Sequence, residues 1–273
     1  MKRIVLLAVL AFPAVAHADD EVQEQDPAAL FAQANDALAA NRPNEAIAKL
    51  EAVNDRGIVD PVVSFDRGLA YAARVRAGAE QPGDLGRAVH GFEEAKELTR
   101  DPALTKEAVS ALATVRSEVA RRRARAGEPA TVETGFSLGR AITRILPENA
   151  WAGLAGALAA VLSVAIVLRR LADRPRAKVA ATTTGAIAAL ALVVVAGLTW
   201  VARDARRNLR EGILVVPTAR LLDAKHLPVE GAQPLPEGLR VRILDEDGGY
   251  SRIAFVGGEG SVPTSSVLPL ARR

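Results

Sequence analysis

Gly135-Phe136-Ser137-Leu138-Gly139 matches the G-x-S-x-G pattern of a serine nucleophile. Such a serine reacts only from a sharp strand-to-helix turn, with a histidine and an acid supplied by the same fold. Here the run stands between a helical segment and a long apolar one, so no acyl-transfer site is expected. The 273 residues include three histidines and no cysteine. Disulfides, thiolate catalysis and sulfur-ligated zinc or iron are therefore excluded. His17 falls in a targeting segment, and His90 and His226 lie in different segments, each expected at the surface. No His pair is left for a metal or an acid–base relay. Neither a P-loop nor a dinucleotide glycine fingerprint is present. No catalytic, cofactor-binding or metal-binding residue is expected, and the chain reads as a non-enzyme.

Two further runs bear on ligands. Arg121-Arg122-Arg123 with Arg125 forms a basic cluster without neighbouring aromatics. It suits anionic lipid headgroups or an acidic partner better than nucleic acid, and the net charge of +3 adds nothing for nucleic acid. Pro228, Pro234 and Pro236 could form a short polyproline ligand, although rigidity of a loop is the simpler use.

The elements that must position these groups are unevenly apolar: 49% of residues are hydrophobic and 4% aromatic, with the excess concentrated in three runs. At the start, Lys2 and Arg3 precede Ile4 to Ala16, and Ala16-His17-Ala18 stands directly before Asp19-Asp20-Glu21. That is a secretory signal peptide over residues 1–18, with Ala16 and Ala18 as its cleavage site. An uncleaved anchor is the alternative, but the run is shorter than the roughly 20 residues a bilayer needs and contains Pro13.

Residues 151–168 and 179–201 are free of charge and each long enough to span, giving a transmembrane helical hairpin. In the loop 169–178, Arg169, Arg170, Arg174, Arg176 and Lys178 oppose only Asp173, which assigns it to the cytoplasm. Arg203, Arg206, Arg207 and Arg210 weigh the other way, and the exported N-terminus decides for a two-pass bacterial inner-membrane protein with both ends periplasmic. Trp151 and Trp200 then share one interface. Small residues, Gly153, Gly156, Ala157 and Ala160 facing Gly185 and Ala189, are expected to pack the helices. With no ionisable residue inside either span, the hairpin is an anchor and not a conduit. Ahead of it, residues 127–150 form a linker in which Leu138, Ile142, Ile145 and Leu146 oppose Arg140 and Arg144, either as an interfacial helix or as a simple helical connection.

Residues 19–126 are alanine- and leucine-rich, with breaks at Arg42-Pro43, Asp60-Pro61, Pro82-Gly83 and Asp101-Pro102. They predict successive antiparallel helices. Leu30, Ala34 and Ala37 stripe one helix, and Ala46, Leu50 and Val53 the next. Ala34 and Ala37 recur 34 residues on as Gly68 and Tyr71, while Ala46 and its neighbours recur as Ala88, Phe92 and Ala95 after an insertion around Ala77 to Asp84. On these residues the segment resembles the tetratricopeptide (TPR) family, with Leu30 and Ser64 where the family has a large aromatic. A generic helical bundle is the alternative. The helix from Ala103 would cap the last hairpin, and a TPR-like array implies a concave protein-binding face.

After a linker at 202–211, residues 212–273 switch to short β runs: Leu239, Val241 and Ile243 alternate with Arg240 and Arg242, and Asp247-Gly248-Gly249 marks a hairpin. Arg240 and Arg242 read as the solvent side of that strand. The runs Leu235 to Val241, Gly249 to Ile253 and Gly260 to Pro263 resemble a bacterial SH3-like domain, a small all-β barrel. The resemblance implies a ligand groove at Tyr250, Ser261 and Pro263, with Ser261 where the family usually carries a tryptophan.

In domain order this multidomain membrane protein resembles the BatE-type proteins of the Bat aerotolerance operon. That implies a membrane-anchored scaffold whose partners are von Willebrand factor A domain membrane proteins and a MoxR-type AAA ATPase, in the envelope stress response. A rival reading is a cell-wall sensor or hydrolase accessory that binds peptidoglycan through the SH3-like segment. No nucleic-acid partner is expected.

Overall fold

The computed structural model describes residues 26–128, 141–142, 145–146, 148–223 and 225–271. The signal segment and the Gly135 to Gly139 run lie outside the described residues. Seven helices make up most of the described chain, followed by a small antiparallel sheet region.

The first five helices are α1 (Pro27–Ala39), α2 (Pro43–Asn54), α3 (Pro61–Arg76), α4 (Asp84–Leu98) and α5 (Pro102–Arg125). Four of the five open on proline, whose fixed φ suits a first helical turn and whose missing N–H would have had no partner there. Asp26, Asp60 and Asp101 precede three of those prolines, and their carboxylates accept from Ala28, Val62 and Ala103 backbone N–H groups. Consecutive helices pack as hairpins, α1 with α2 and α3 with α4, and α5 closes on α4. Their shared core includes Leu30, Ala34, Leu50, Val53, Tyr71, Ala88, Phe92 and Leu112. Backbones approach closely where α3 crosses α4. A Cβ on Gly91 would lie 2.5 Å from the Ser64 carbonyl oxygen, and one on Gly68 would lie 2.7 Å from the Phe92 ring.

Next come the two apolar helices, α6 (Glu148–Leu171) and α7 (Pro175–Asn208), packed against each other. Both have a mean hydropathy of 2.3 over their most apolar window and are long enough to cross a membrane. At 1.5 Å per residue α7 extends about 50 Å, longer than a hydrocarbon core of about 30 Å, so in a bilayer its charged last turns would emerge. The stretch expected as a linker is helical as far as Asn208, and only Leu209 separates it from the first strand. The expected small-residue contact is differently placed. Gly185 sits against Ala165 and Leu162, whereas a Cβ on Gly153 or Gly156 would meet nothing within 4 Å. Trp151 is buried with Ile142, Val195 and Ala202, and donates its indole N–H to the Ile142 carbonyl at 3.3 Å. Trp200, near the same end of the hairpin, is 69% exposed.

Seven strands follow: β1 (Arg210–Leu214), β2 (Thr218–Ala219), β3 (Leu235–Pro236), β4 (Arg240–Asp247), β5 (Tyr250–Phe255), β6 (Gly258–Pro263) and β7 (Val267–Pro269). Five form one antiparallel sheet in the order β6-β5-β4-β1-β7, and β2 pairs with β3. Asp247 pairs with Tyr250 across Gly248 and Gly249, both at positive φ, as a two-residue hairpin turn of this hand requires. Leu214, Val241, Ile243, Ile253 and Val262 fill the sheet's own core.

Candidate functional site

The most elaborate cluster of chemically capable side chains lies where α4 meets the sheet. One face of α4 carries Ala88 and Phe92 into the helical core, and the opposite face is covered by β1, β4 and the chain end after β7. Ile213 and Leu270 from the sheet region join the helical core directly. The approach is close at Gly86, where a Cβ would lie 2.6 Å from the Leu214 carbonyl oxygen and 2.7 Å from Val215 Cα. Gly86 N–H donates to Glu237 at 3.1 Å, and burial pushes the Glu237 carboxyl above its ordinary range.

Charges complete the junction. Arg240 is 6% exposed and donates to Glu93 at 2.8 Å, to Glu97 at 3.0 Å and to Glu211. Glu93 also receives Lys96 and Arg116. Burial alone would raise the Glu93 carboxyl, but Lys96, Arg240 and Arg116 outweigh it and hold it at about 2. The expectation that Arg240 faces solvent is thus corrected: β4 turns Arg240 into α4, and only Arg242 is exposed. His90, expected at the surface, is 3% exposed. Arg67 donates to its Nδ1 at 2.7 Å, which requires the neutral ring, and Nε2–H then donates to the Pro269 carbonyl at 2.9 Å. Burial keeps its pKa below the usual histidine value, and Arg67 reinforces this against the opposing pull of Glu94. Glu94 in turn accepts from Ser64 at 2.8 Å and from the Ala271 N–H at 3.2 Å. Around Tyr71 a second network runs: its hydroxyl donates to Glu51 at 2.8 Å, Arg74 and Arg87 lie over its ring, and Arg74 forks onto Asp84. Burial, then Glu51, pushes the Tyr71 hydroxyl up. These groups pair mainly with one another, although Arg67, Arg116 and Arg240 each keep a buried Nε without a hydrogen-bond partner. What the arrangement does chemically is join α4 to the sheet across a charged, largely buried seam.

The other sequence-selected residues fall as follows. Leu30, Ala34, Ala37, Ala46, Leu50, Val53, Gly68, Tyr71, Ala88, Phe92 and Ala95 are all buried. Tyr250 pairs with Pro263 across β5 and β6, and Ser261 lies opposite Arg252 in the same ribbon. Tyr250 is not an open platform, because the His226 ring stacks on it at 3.9 Å with planes 11° apart. The Leu222 backbone also pairs with Ser261, so the loop after β2 lies along the edge of β6. The basic cluster of α5 is internally neutralised: Arg121, Arg122 and Arg125 reach Glu118, Arg122 also reaches Glu80, and Arg123 reaches Glu128. Arg169, Arg170, Arg174, Arg176 and Lys178 are exposed at the turn between α6 and α7. Sequence reasoning missed His90, Glu93, Glu94 and Arg240. The available signal was the run of ionisable residues on one face of α4 in a chain with two further charged segments to match it.

Among the described residues no group of three His, Asp or Glu side chains is placed to hold a metal ion. No protein-family model, curated protein or solved structure matches the chain.

Proposed function

We propose that the chain is a non-catalytic, membrane-anchored interaction scaffold on the periplasmic side of a bacterial inner membrane, working in the manner of BatE-type proteins. In this reading α1 to α5 are two TPR-like hairpins with a capping helix, and β1 to β7 are an SH3-like module. The observation that carries it is the junction of α4 with the sheet. Segments on either side of the α6–α7 hairpin share a core and a buried ion network, which requires them to lie on the same side of any membrane that the hairpin crosses. An even number of spans is the arrangement that permits this. Partners of the Bat type, von Willebrand factor A domain membrane proteins and a MoxR-type ATPase, follow from the resemblance.

The absence of cysteine makes the topology directly testable. In intact spheroplasts, Ser117→Cys on α5 and Glu259→Cys on β6 are both expected to react with a membrane-impermeant maleimide, while Asp173→Cys reacts only after permeabilisation. Labelling of just one of the first two would sink the shared-side reading. Partner class is tested with the full chain carrying photoreactive side chains at the exposed Val62 and Val109 on the helices, Asp173 in the loop, or Arg252 on the sheet. Crosslinks from the helices to von Willebrand-type proteins, or from the loop to an AAA ATPase, support the scaffold. The cell-wall reading is favoured instead by crosslinks from the sheet to muropeptides or wall hydrolases. His226 covering Tyr250 counts against that rival, because a wall ligand would have to displace it.

A further inference from the structure

Between α6 and α7, at the end where the two helices turn, an apolar cleft of about 620 Å³ is open to the surroundings. Val161, Val164 and Leu168 form its α6 wall, and Ala177, Ala181 and Thr184 its α7 wall. The short side chains on α7 leave a volume that the α6 side chains do not reach across to fill. Hydrocarbon is the natural filling for such a slot at membrane depth.

The mouth of the cleft has the opposite character. Arg169 and Arg170 end α6, Arg174 directly precedes α7, and Arg176 and Lys178 occupy its first turn. All five are exposed, Asp173 is the sole acid among them, and among the described residues none of the five forms an ion pair. This contrasts with the arginines of α5, each matched to a glutamate. The N-terminus of α7 opens at the same place without a side-chain cap, so its positive end adds to the field.

From this pairing we infer that the hairpin holds one anionic phospholipid, its phosphate among the five cations and an acyl chain in the cleft. The inference rests on α6 and α7 lying in a bilayer. A second copy of the chain fits the cleft poorly, because it would bring five like charges against five. Arginine and lysine at a helix end supply the bidentate and point-charge contacts that a phosphodiester accepts.

The test is native mass spectrometry of the full chain in mild detergent with equal amounts of phosphatidylglycerol and phosphatidylcholine. One phosphatidylglycerol is expected to stay bound, preferred about tenfold over phosphatidylcholine. Ala177→Leu with Ala181→Leu fills the cleft without touching a charge, and is expected to lose that retention about tenfold. Changing the five cations to glutamine is expected to abolish the preference for the anionic lipid. Equal retention by wild type and the filled variant would overturn the site, since general attraction to a basic loop needs no cleft. A wild-type dimer that dissociates on filling the cleft would overturn it too, assigning the cleft to a second copy. Resistance of every variant to alkaline carbonate extraction is checked in parallel, so that failure of the lipid site is distinguished from failure to span the membrane.

Discussion

Arg240→Ala is expected to release the sheet from α4 at a cost to the docked state of about 3 to 5 kcal/mol, the usual penalty for removing one partner of a buried ion pair. The guanidinium serves three carboxylates, and its loss leaves Glu93 to Lys96 and Arg116 and takes one cation from Glu97 and from Glu211. Hydrogen–deuterium exchange of the full chain in detergent reads the result: peptides over α4 and β4 lose protection, while those over α1 and α2 keep it. Unchanged exchange over α4 would mean that the apolar contacts of Ile213 and Leu270 hold the junction by themselves. Arg240→Met paired with Glu93→Gln is expected to cost less than Arg240→Ala, because the most deeply buried of the three carboxylates is then neutral. Acid acts on the same seam in two stages. His90 is neutral in the fold with its pKa depressed, so its contribution is complete above the unfolded value of about 6.5 and is lost as pH falls below it. Glu93, held at about 2, contributes above its unfolded value and loses that contribution between about 4.5 and 2. Glu93→Gln removes the second stage and leaves the first.

Alanine at either of two glycines separates the junction from the helical hairpin behind it. Gly86→Ala drives a Cβ into the backbone of β1, and Gly91→Ala drives one into the backbone of α3, where neither neighbour has a flexible end to move aside. Overpacking of this kind costs about 1 to 3 kcal/mol or more, which exceeds the gain of about 1 kcal/mol from removing a glycine from a helix. Gly86→Ala is expected to raise exchange in β1 and β4 while the α3–α4 pair stays protected. Gly91→Ala is expected to lower the thermal midpoint of the helical signal itself. Identical exchange patterns in the two variants would show that the helices and the sheet unfold as one unit.

Much of the fold was legible because its signals are local. Proline after aspartate marks a helix start by geometry and by a hydrogen bond two residues long, and Pro27, Pro61 and Pro102 each open a helix. The apolar spans needed only hydropathy and length. The junction was not legible, because alternation along β4 shows that Arg240 and Val241 face opposite ways but not that the polar side is covered. Glu93 lies 147 residues from Arg240, and no periodicity connects them. A face lined with Glu93, Glu94 and Glu97 looks solvated when the cation that covers it, Arg240, lies beyond two membrane-length helices. The small-residue packing of α6 and α7 failed for a related reason: several glycine and alanine stripes were available, and the choice of Gly185 against Ala165 is made by the pair, not by either helix alone.

The His90 ring reaches a carbonyl 179 residues further along the chain, almost at its end. During synthesis, α4 therefore emerges with its charged face uncovered and stays so until both apolar helices and the strands after them have been made. A chain that stalls before β7 cannot bring Pro269 to His90. The seam is thus a late event in the life of the chain: it closes only after residue 269 has been made, whatever the order in which the helices before it fold.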